Sequence, residues 1–264
     1  MAESLSGQNG ILDIPSVRDH VSDEEWRVRC ELAAAYRLIA HFGWDDLIYT
    51  HISARVPGPE HHFLMNPMGL MFDEITASSL VKIDLDGNKV MDSPFGVNKA
   101  GFTIHSAVHA ARENALCALH LHTDAGIAVS NLAEGLLPLA QSSLIPYVMH
   151  AYHDYEGFAV RPDEKKRLVA SLGDNNVLIL RNHGTMTVGS SIGQAFELAY
   201  FLEKACRIQL MTMSSGMQVQ NMSDKAYQTA VRDMYAVLSG DTSSSLCWAA
   251  LMRKADRLDP TYRS

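Results

Sequence analysis

The first hydrophobic pattern along the chain has the period of an α-helix. Apolar residues recur every three or four positions, at Val28, Leu32, Ala35, Ile39 and Phe42. An α-helix completes a turn every 3.6 residues, so this spacing places them on one face. Ser22 and Glu25 form an S-x-x-E capping box before them, and Gly43 follows as a helix stop. We therefore expect a helix from about residue 22 to residue 43.

A second pattern, alternation of apolar and polar residues, follows. The runs 47–56 and 62–65 are typical of strands, and the alternation at 81–85 leads into Asp86-Gly87-Asn88, a hairpin turn. Strands are also expected at 116–122 and 177–181, and helices at 101–112, 123–130, 191–211 and 225–238. Strands interleaved with helices predict an α/β fold with helices on both faces of the sheet. The hairpin requires an antiparallel pair, so the sheet should be mixed.

Composition divides the chain into three parts. Residues 1–21 are polar and contain Gly and Ser, and we interpret them as an N-terminal arm without the apolar segment of a signal peptide. Residues 22–215 carry the alternating elements and form the main domain. Residues 216–264 are interpreted as a C-terminal helical extension, although the pattern after residue 240 predicts no particular element.

Charge and cysteine usage exclude several classes of function. The formal net charge is −8, so the chain has no electrostatic attraction to nucleic acid or anionic lipid, and no apolar run is long enough to span a bilayer. None of the four cysteines forms a C-x-x-C pair, which argues against a disulfide framework or a cysteine zinc site. We expect a cytoplasmic protein that acts on a small molecule.

Three histidines form the main candidate site. His120 and His122 are two apart in a predicted strand, so both rings leave the same face, while Leu119 and Leu121 face the apolar side. A solvated strand edge would show the same spacing. His183 follows the buried run 177–181, at a strand end where α/β sheets bind ligands.

The residue after His183 completes this interpretation. Gly184 is expected to turn the backbone there with positive φ, although a loop histidine bonded to a carbonyl would fit equally well. Three neutral imidazoles leave a cation an open position, as in catalytic rather than structural sites. Zn²⁺ suits three nitrogen ligands best, and Fe²⁺ and Mn²⁺ are also compatible.

Four other histidines are weaker candidates for the site. His105 and His109 are four apart on one helix face, where they can support the site or be solvated. His61 and His62 lie beside Pro59-Glu60 and are interpreted as surface loop residues.

Several motifs together resemble the class II aldolase/adducin family over roughly residues 25–215. They are Thr50-His51-Ile52-Ser53-Ala54-Arg55, Asn66-Pro67-Met68-Gly69, Ala77-Ser78-Ser79-Leu80-Val81-Lys82, Ala100-Gly101-Phe102, His120-Leu121-His122-Thr123, Tyr152-His153-Asp154-Tyr155 and Arg181-Asn182-His183-Gly184. The resemblance implies a three-layer α/β/α fold with a mainly antiparallel sheet, often assembled as a tetramer with sites between subunits. It also implies that His120, His122 and His183 are the metal ligands. Substrate binding is expected at His51, Asn66, Gly69 and Lys99.

The chain departs from the sugar-phosphate aldolases of this family at two places. The glutamate that transfers protons in those enzymes falls on Gly101, and their phosphate-binding serines fall on the stretch 98–100. Met68 stands where a phosphate-binding Thr or Ser would be useful, and methionine donates no hydrogen bond. A non-phosphorylated substrate is therefore expected.

Three functions remain open at this point. The first is a metal-dependent lyase that cleaves a carbon–carbon bond of a 2-oxo or 2-hydroxy acid, with His153, Tyr155 or His105 returning the proton. The second is a non-haem Fe(II) oxygenase that oxidatively decarboxylates an aromatic 2-oxo acid, suggested by Met65, Met68, Met71 and Phe72. The third is a non-enzymatic scaffold like the adducin head.

Overall fold

A computed structural model describes residues 12–97, 99–157, 163–238 and 242–264. Its helices are α1 (Asp23–Phe42), α2 (Lys99–Ala111), α3 (Asp124–Ser130), α4 (Gln141–Tyr147), α5 (Glu164–Leu172), α6 (Ile192–Ser214), α7 (Asp224–Leu238) and α8 (Thr242–Leu258). Its strands are β1 (His51–Arg55), β2 (Phe63–Met65), β3 (Pro67–Met68), β4 (Val81–Ile83), β5 (Gly96–Val97), β6 (Cys117–Leu121), β7 (His150–His153), β8 (Val177–Leu180) and β9 (Gly184–Gly189).

Seven of these strands form one mixed sheet in the order β4-β2-β1-β6-β9-β8-β7. Each neighbouring pair is antiparallel except β7 and β8, which are parallel. β3 and β5 form a separate two-stranded sheet. The expected mixed, mainly antiparallel sheet is confirmed.

Alternate residues of β8 show how helices cover the two faces of the sheet. Leu178 and Leu180 pack with apolar residues of α2 and α5. Val177 and Ile179 pack with apolar residues of α3 and α6. Because the sheet is buried on both faces, the short continuous apolar run predicted from the sequence is a strand of a three-layer α/β/α domain, as expected.

The caps predicted for α1 are present. The amide of Glu25 donates a hydrogen bond to the Ser22 hydroxyl at 3.1 Å, which satisfies one of the free amides of the first turn. Gly43 has φ of +68° and its amide donates to the Ala40 carbonyl, which ends the helix. The buried face of α1 packs on β1, which leads into the site, and shares one apolar core with residues of β2.

Residues at both ends of the described chain pack on the main domain. Leu12 and Ile14 lie against the core, and so do Trp248 and Leu251 of α8. Tyr262 is fully buried. The domain limits of the sequence analysis therefore remain a proposal about homology and do not mark separately packed units. Within the described residues, no helix combines the length and the apolar character needed to cross a membrane.

Candidate metal centre

The structure brings the three predicted ligand histidines together at one end of the sheet. His120 lies on β6, His122 follows the end of that strand, and His183 lies in the tight turn between β8 and β9. Their ring centroids are 4.8 Å apart for His120–His122 and His120–His183, and 4.9 Å apart for His122–His183. One nitrogen of each ring lies within 4.8 Å of the other two. The group can therefore surround one ion.

Hydrogen bonds behind two of these rings fix which nitrogen faces the centre. His120 Nδ1 lies 2.9 Å from the Thr185 carbonyl, and His122 Nδ1 lies 2.9 Å from Asp46 Oδ2. Both partners accept, so Nδ1 carries the proton and Nε2 has a free lone pair. His122 Nε2 is buried and has no hydrogen-bond partner. Histidine ligands of metals are commonly held in this way.

The electrostatics of the group favour neutral rings. Burial lowers the pKa of His120 well below the usual histidine value, and His51, His183 and His122 add to this effect. Burial, with a contribution from His122, lowers the pKa of His183 to about 4. Neutral imidazoles with converging lone pairs suit a divalent cation, and three nitrogen donors fit zinc.

The backbone of the β8–β9 turn differs from the expectation. Asn182, not Gly184, has positive φ, at +56°. Gly184 is required for another reason: a Cβ there would lie 2.5 Å from the Leu121 carbonyl oxygen and 3.0 Å from the His122 ring. The prediction of positive φ at Gly184 was wrong, because the glycine serves the close approach of the turn to β6.

The loop before β1 has a strained backbone and holds one of the candidate ligands in place. Leu47 and Thr50 have φ of +51° and +64°, which is unfavourable for a bulky and for a β-branched residue. Thr50 is 3 % exposed, and its hydroxyl is buried without a hydrogen-bond partner. The loop carries Asp46, which holds His122, and leads directly into His51. Asp46 could not be predicted from the sequence, since nothing in its local pattern distinguishes it from a surface aspartate.

A second group of polar residues lies beside the ligands. His51 is paired with His120 across β1 and β6, and their ring centroids are 5.2 Å apart. His105 and His109 of α2 are 0 % and 1 % exposed, so the alternative that they are solvated is wrong. Both contact the Ser53 hydroxyl on β1.

The remaining residues predicted to bind substrate differ in position: one is buried, one lies on the surface and one begins α2. Asn66 is 2 % exposed, and its side-chain oxygen accepts a hydrogen bond from the Tyr36 hydroxyl at 2.9 Å. Gly69 lies on the surface with φ of +102°. Lys99 begins α2, but its side chain lies outside the described part of the structure.

The residues that suggested an apolar pocket are largely core. Met65 and Phe72 are both 0 % exposed and belong to the cluster beneath α1. Met68 is 43 % exposed on the surface. This distribution removes most of the sequence support for an aromatic substrate.

His153 lies at the end of β7, close to the candidate ligands. Its Nδ1 is 3.0 Å from the Ser171 hydroxyl, and its Nε2 is 3.8 Å from Glu164 Oε1. His153 Nε2 and Glu164 Oε2 are buried without hydrogen-bond partners. They line a cavity of about 10 Å³ that His183 and Tyr155 also line. This volume holds about one water molecule.

Most of the chain is similar to known proteins. Residues 30–210 match the family model described as the Class II Aldolase and Adducin N-terminal domain. A Caulobacter vibrioides protein named "Putative aldolase class 2 protein" is 52 % identical over 254 residues, covering 96 % of this chain and 98 % of its own. Alpha-adducin of Rattus norvegicus is 49 % identical over 191 residues, covering 71 % of this chain and 26 % of adducin.

A solved enzyme structure has the same fold. L-fuculose 1-phosphate aldolase from Glaciozyma antarctica is 26 % identical with a TM-score of 0.80, and the match covers 100 % of both chains. The family model spans well over half of this chain, and the identity to the Caulobacter protein extends over nearly all of it. The chain therefore belongs to the class II aldolase/adducin family.

Proposed function

We propose that this protein is a divalent-metal-dependent lyase that cleaves a carbon–carbon bond next to a carbonyl or carboxylate of a non-phosphorylated 2-oxo or 2-hydroxy acid. The observation that carries the proposal is the convergence of three imidazoles with unprotonated nitrogens, of which His122 Nε2 is buried without a partner. Enzymes of this family typically use such a centre for carbon–carbon cleavage.

His120, His122 and His183 would hold the ion. A divalent ion supplies Lewis-acid chemistry, which polarises a carbonyl and stabilises negative charge on its oxygen. Thr185 and Asp46 orient the ligand rings from behind, so the chain presents a prearranged site.

The surroundings of the site support a substrate without a phosphate group. The Asn66 side chain is bonded to Tyr36, and Met68 offers no hydrogen bond. A side chain at position 101 would overlap the His51 ring. Among the residues that the family resemblance places in the substrate site, Lys99 is the cation that could pair with a substrate carboxylate.

Proton return after cleavage is assigned to His153 and Tyr155. His153 lines a water-sized cavity that His183 also lines, and Tyr155 is 52 % exposed at the same cavity. Both ring nitrogens of His105 are bonded within the protein, so its contribution would pass through its neighbours.

The proposal is tested by assaying a panel of aliphatic and aromatic 2-oxo and 2-hydroxy acids, and matched sugar phosphates, with and without oxygen. We expect turnover without oxygen, supported to differing degrees by Zn²⁺, Mn²⁺ and Co²⁺, and lost in His122→Ala. His41→Gln, at an exposed histidine of α1, is the matched control. Activity only with Fe²⁺ and air would replace the lyase by an oxygenase. A stable metal site without any activity would favour the scaffold.

A further inference from the structure

A continuous hydrogen-bonded row of side chains leads from α2 to the edge of the metal centre. His109 Nδ1 lies 2.7 Å from the Ala115 carbonyl oxygen, and His109 Nε2 lies 2.7 Å from the Ser53 hydroxyl. The same hydroxyl lies 2.6 Å from His105 Nδ1, and His105 Nε2 lies 2.8 Å from His51 Nδ1. We call Ser53, His51, His105 and His109 the histidine relay.

The chemistry of each partner gives the relay a single direction. The Ala115 carbonyl can only accept, so His109 Nδ1 donates and its Nε2 accepts from the Ser53 hydroxyl. Ser53 has one hydroxyl proton, which it donates to His109. The Ser53 oxygen must therefore accept its second hydrogen bond, from His105 Nδ1. His105 Nε2 is then an acceptor, and His51 Nδ1 must donate to it. In neutral rings this order leaves His51 Nε2 without a proton.

Burial keeps these rings neutral. His51 is 6 % exposed, His105 0 % and His109 1 %. Burial lowers the pKa of His105 well below the usual histidine value and that of His109 to about 4. The relay therefore fixes hydrogen-bond direction through tautomers and not through charge.

The Nε2 edge of the His51 ring faces the first turn of α2. A Cβ added at Gly101 would lie 2.2 Å from His51 Nε2, so position 101 tolerates no side chain while the ring is in place. His51 also lies opposite His120 in the β1–β6 pair. His51 thus occupies the space beside the centre from which the glutamate expected by resemblance is missing.

We propose that His51 Nε2 is the proton acceptor of this site, held in the required tautomer by Ser53, His105 and His109. The inference rests on the proposed lyase function and selects its base-dependent branch, retro-aldol cleavage, over decarboxylation. Nε2 takes the proton of the substrate hydroxyl, and the oxygen electron pair forms the new carbonyl. The carbon–carbon bond breaks, and its electron pair stays on the carbon next to the 2-oxo group as an enolate.

The tautomer can be measured without any substrate. In metal-free protein labelled with ¹⁵N, histidine ring spectra distinguish Nδ1–H from Nε2–H, and the signal lost in His51→Gln assigns His51. We expect His51 in the Nδ1–H form, which is the minor form of histidine free in water. In Ser53→Ala the direction of the relay is lost, and His51 should become a mixture, whereas His41→Gln should leave it unchanged. An Nε2–H tautomer of His51 in the wild-type protein would overturn the proposal.

Proton transfer from the substrate hydroxyl is tested with 4-hydroxy-2-oxobutanoate as the probe and zinc-loaded protein. Wild type should cleave it to pyruvate and formaldehyde. His51→Gln should slow this cleavage about a hundredfold while binding zinc as wild type does. Loss of zinc from His51→Gln would make His51 a ligand and contradict the proposal. A correct tautomer with no cleavage of this probe or of the acid panel by the wild-type protein would instead contradict the proposed function, and the proton-acceptor role with it.

Discussion

At the scale of single residues, the candidate metal centre depends on how each ring is held from behind. His122 is the most informative candidate ligand, because its Nδ1 is held by Asp46 and its Nε2 is buried without a partner. A buried acceptor without a partner is unfavourable by about 1–3 kcal/mol, and a bound ion would remove this penalty.

We predict that purified protein binds about one divalent ion per chain and that His122→Ala abolishes stoichiometric binding. Asp46→Asn should weaken metal binding about tenfold to a hundredfold, since it removes the charged partner of the ligand ring. Metal analysis after dialysis, together with competition against a chelator, measures both effects. Full occupancy in His122→Ala would place the site elsewhere.

A second prediction concerns the free energy of unfolding at acidic pH and rests on the buried His109. Its pKa falls from 6.5 to about 4 in the folded chain, so between these values the unfolded chain binds more protons. The contribution of neutral His109 to the free energy of unfolding should therefore be fully present above about pH 6.5. It should decrease as the pH falls towards 4. His109 alone should account for about 2 kcal/mol between pH 7 and pH 5.

Urea unfolding of metal-free protein at several pH values tests this dependence. His109→Gln should make the dependence shallower, and His41→Gln should leave it unchanged. A pH dependence of the same steepness in His109→Gln would show that folding does not lower the pKa of His109.

At the scale of secondary structure, Tyr36 ties α1 to the strands that carry the site. Its hydroxyl accepts from the Ile52 amide at 2.7 Å and from the Asn66 amide at 3.2 Å. It also lies 2.5 Å from the Ile52 carbonyl and 2.9 Å from Asn66 Oδ1, so it can donate to either. Ile52 lies between His51 and Ser53, so this contact sets the position of β1.

We predict that Tyr36→Phe lowers the free energy of unfolding by about 2–3 kcal/mol, because two buried amides lose their acceptor. Tyr235→Phe, at a tyrosine of α7 that is 50 % exposed, should change it by less than about 0.5 kcal/mol. Chemical denaturation of both variants measures the difference. Equal stabilities would mean that the Tyr36 hydroxyl is not needed to position β1.

The sequence predicts elements whose signals are local. The caps at Ser22 and Ser191, the buried run of β8 and the glycine stop at Gly43 each depend on residues within a few positions. The same local spacing placed His120 and His122 side by side.

Features set by distant contacts were not predictable in the same way. The histidine relay depends on the register of His51 against His120 and on the packing of α2 over β1. The spacing of His105 and His109 is the same whether they are solvated or buried. The role of Asp46 and the close contact at Gly184 also require knowing which segments meet.

At the scale of the whole molecule, we expect the chain to assemble with copies of itself. The family resemblance implies a tetramer with sites between subunits, and Tyr155 is 52 % exposed at the cavity beside His153. A neighbouring subunit would cover such a position. Closed symmetric assemblies are the common form of soluble homo-oligomers.

We predict a homotetramer of the 29.1 kDa chain, stable at micromolar concentration. Light scattering coupled to size exclusion measures the mass directly, with and without bound metal. A monomer over the whole concentration range would rule out a shared site, and Tyr155 would then remain at an exposed edge.

The long-range contact between residues 77–78 and 262–264 has a consequence for biosynthesis. The Ala77 amide donates to the Tyr262 carbonyl and the Ser78 amide to the Ser264 carbonyl, at 2.8 and 2.9 Å. During translation the first segment leaves the ribosome about 185 residues before its partners do (262 minus 77). Until then its amides bond water, and the pocket for Tyr262 beneath α1 stays open. Pulse-labelled nascent chains should therefore remain protease-sensitive near Ala77 until residues 262–264 have emerged.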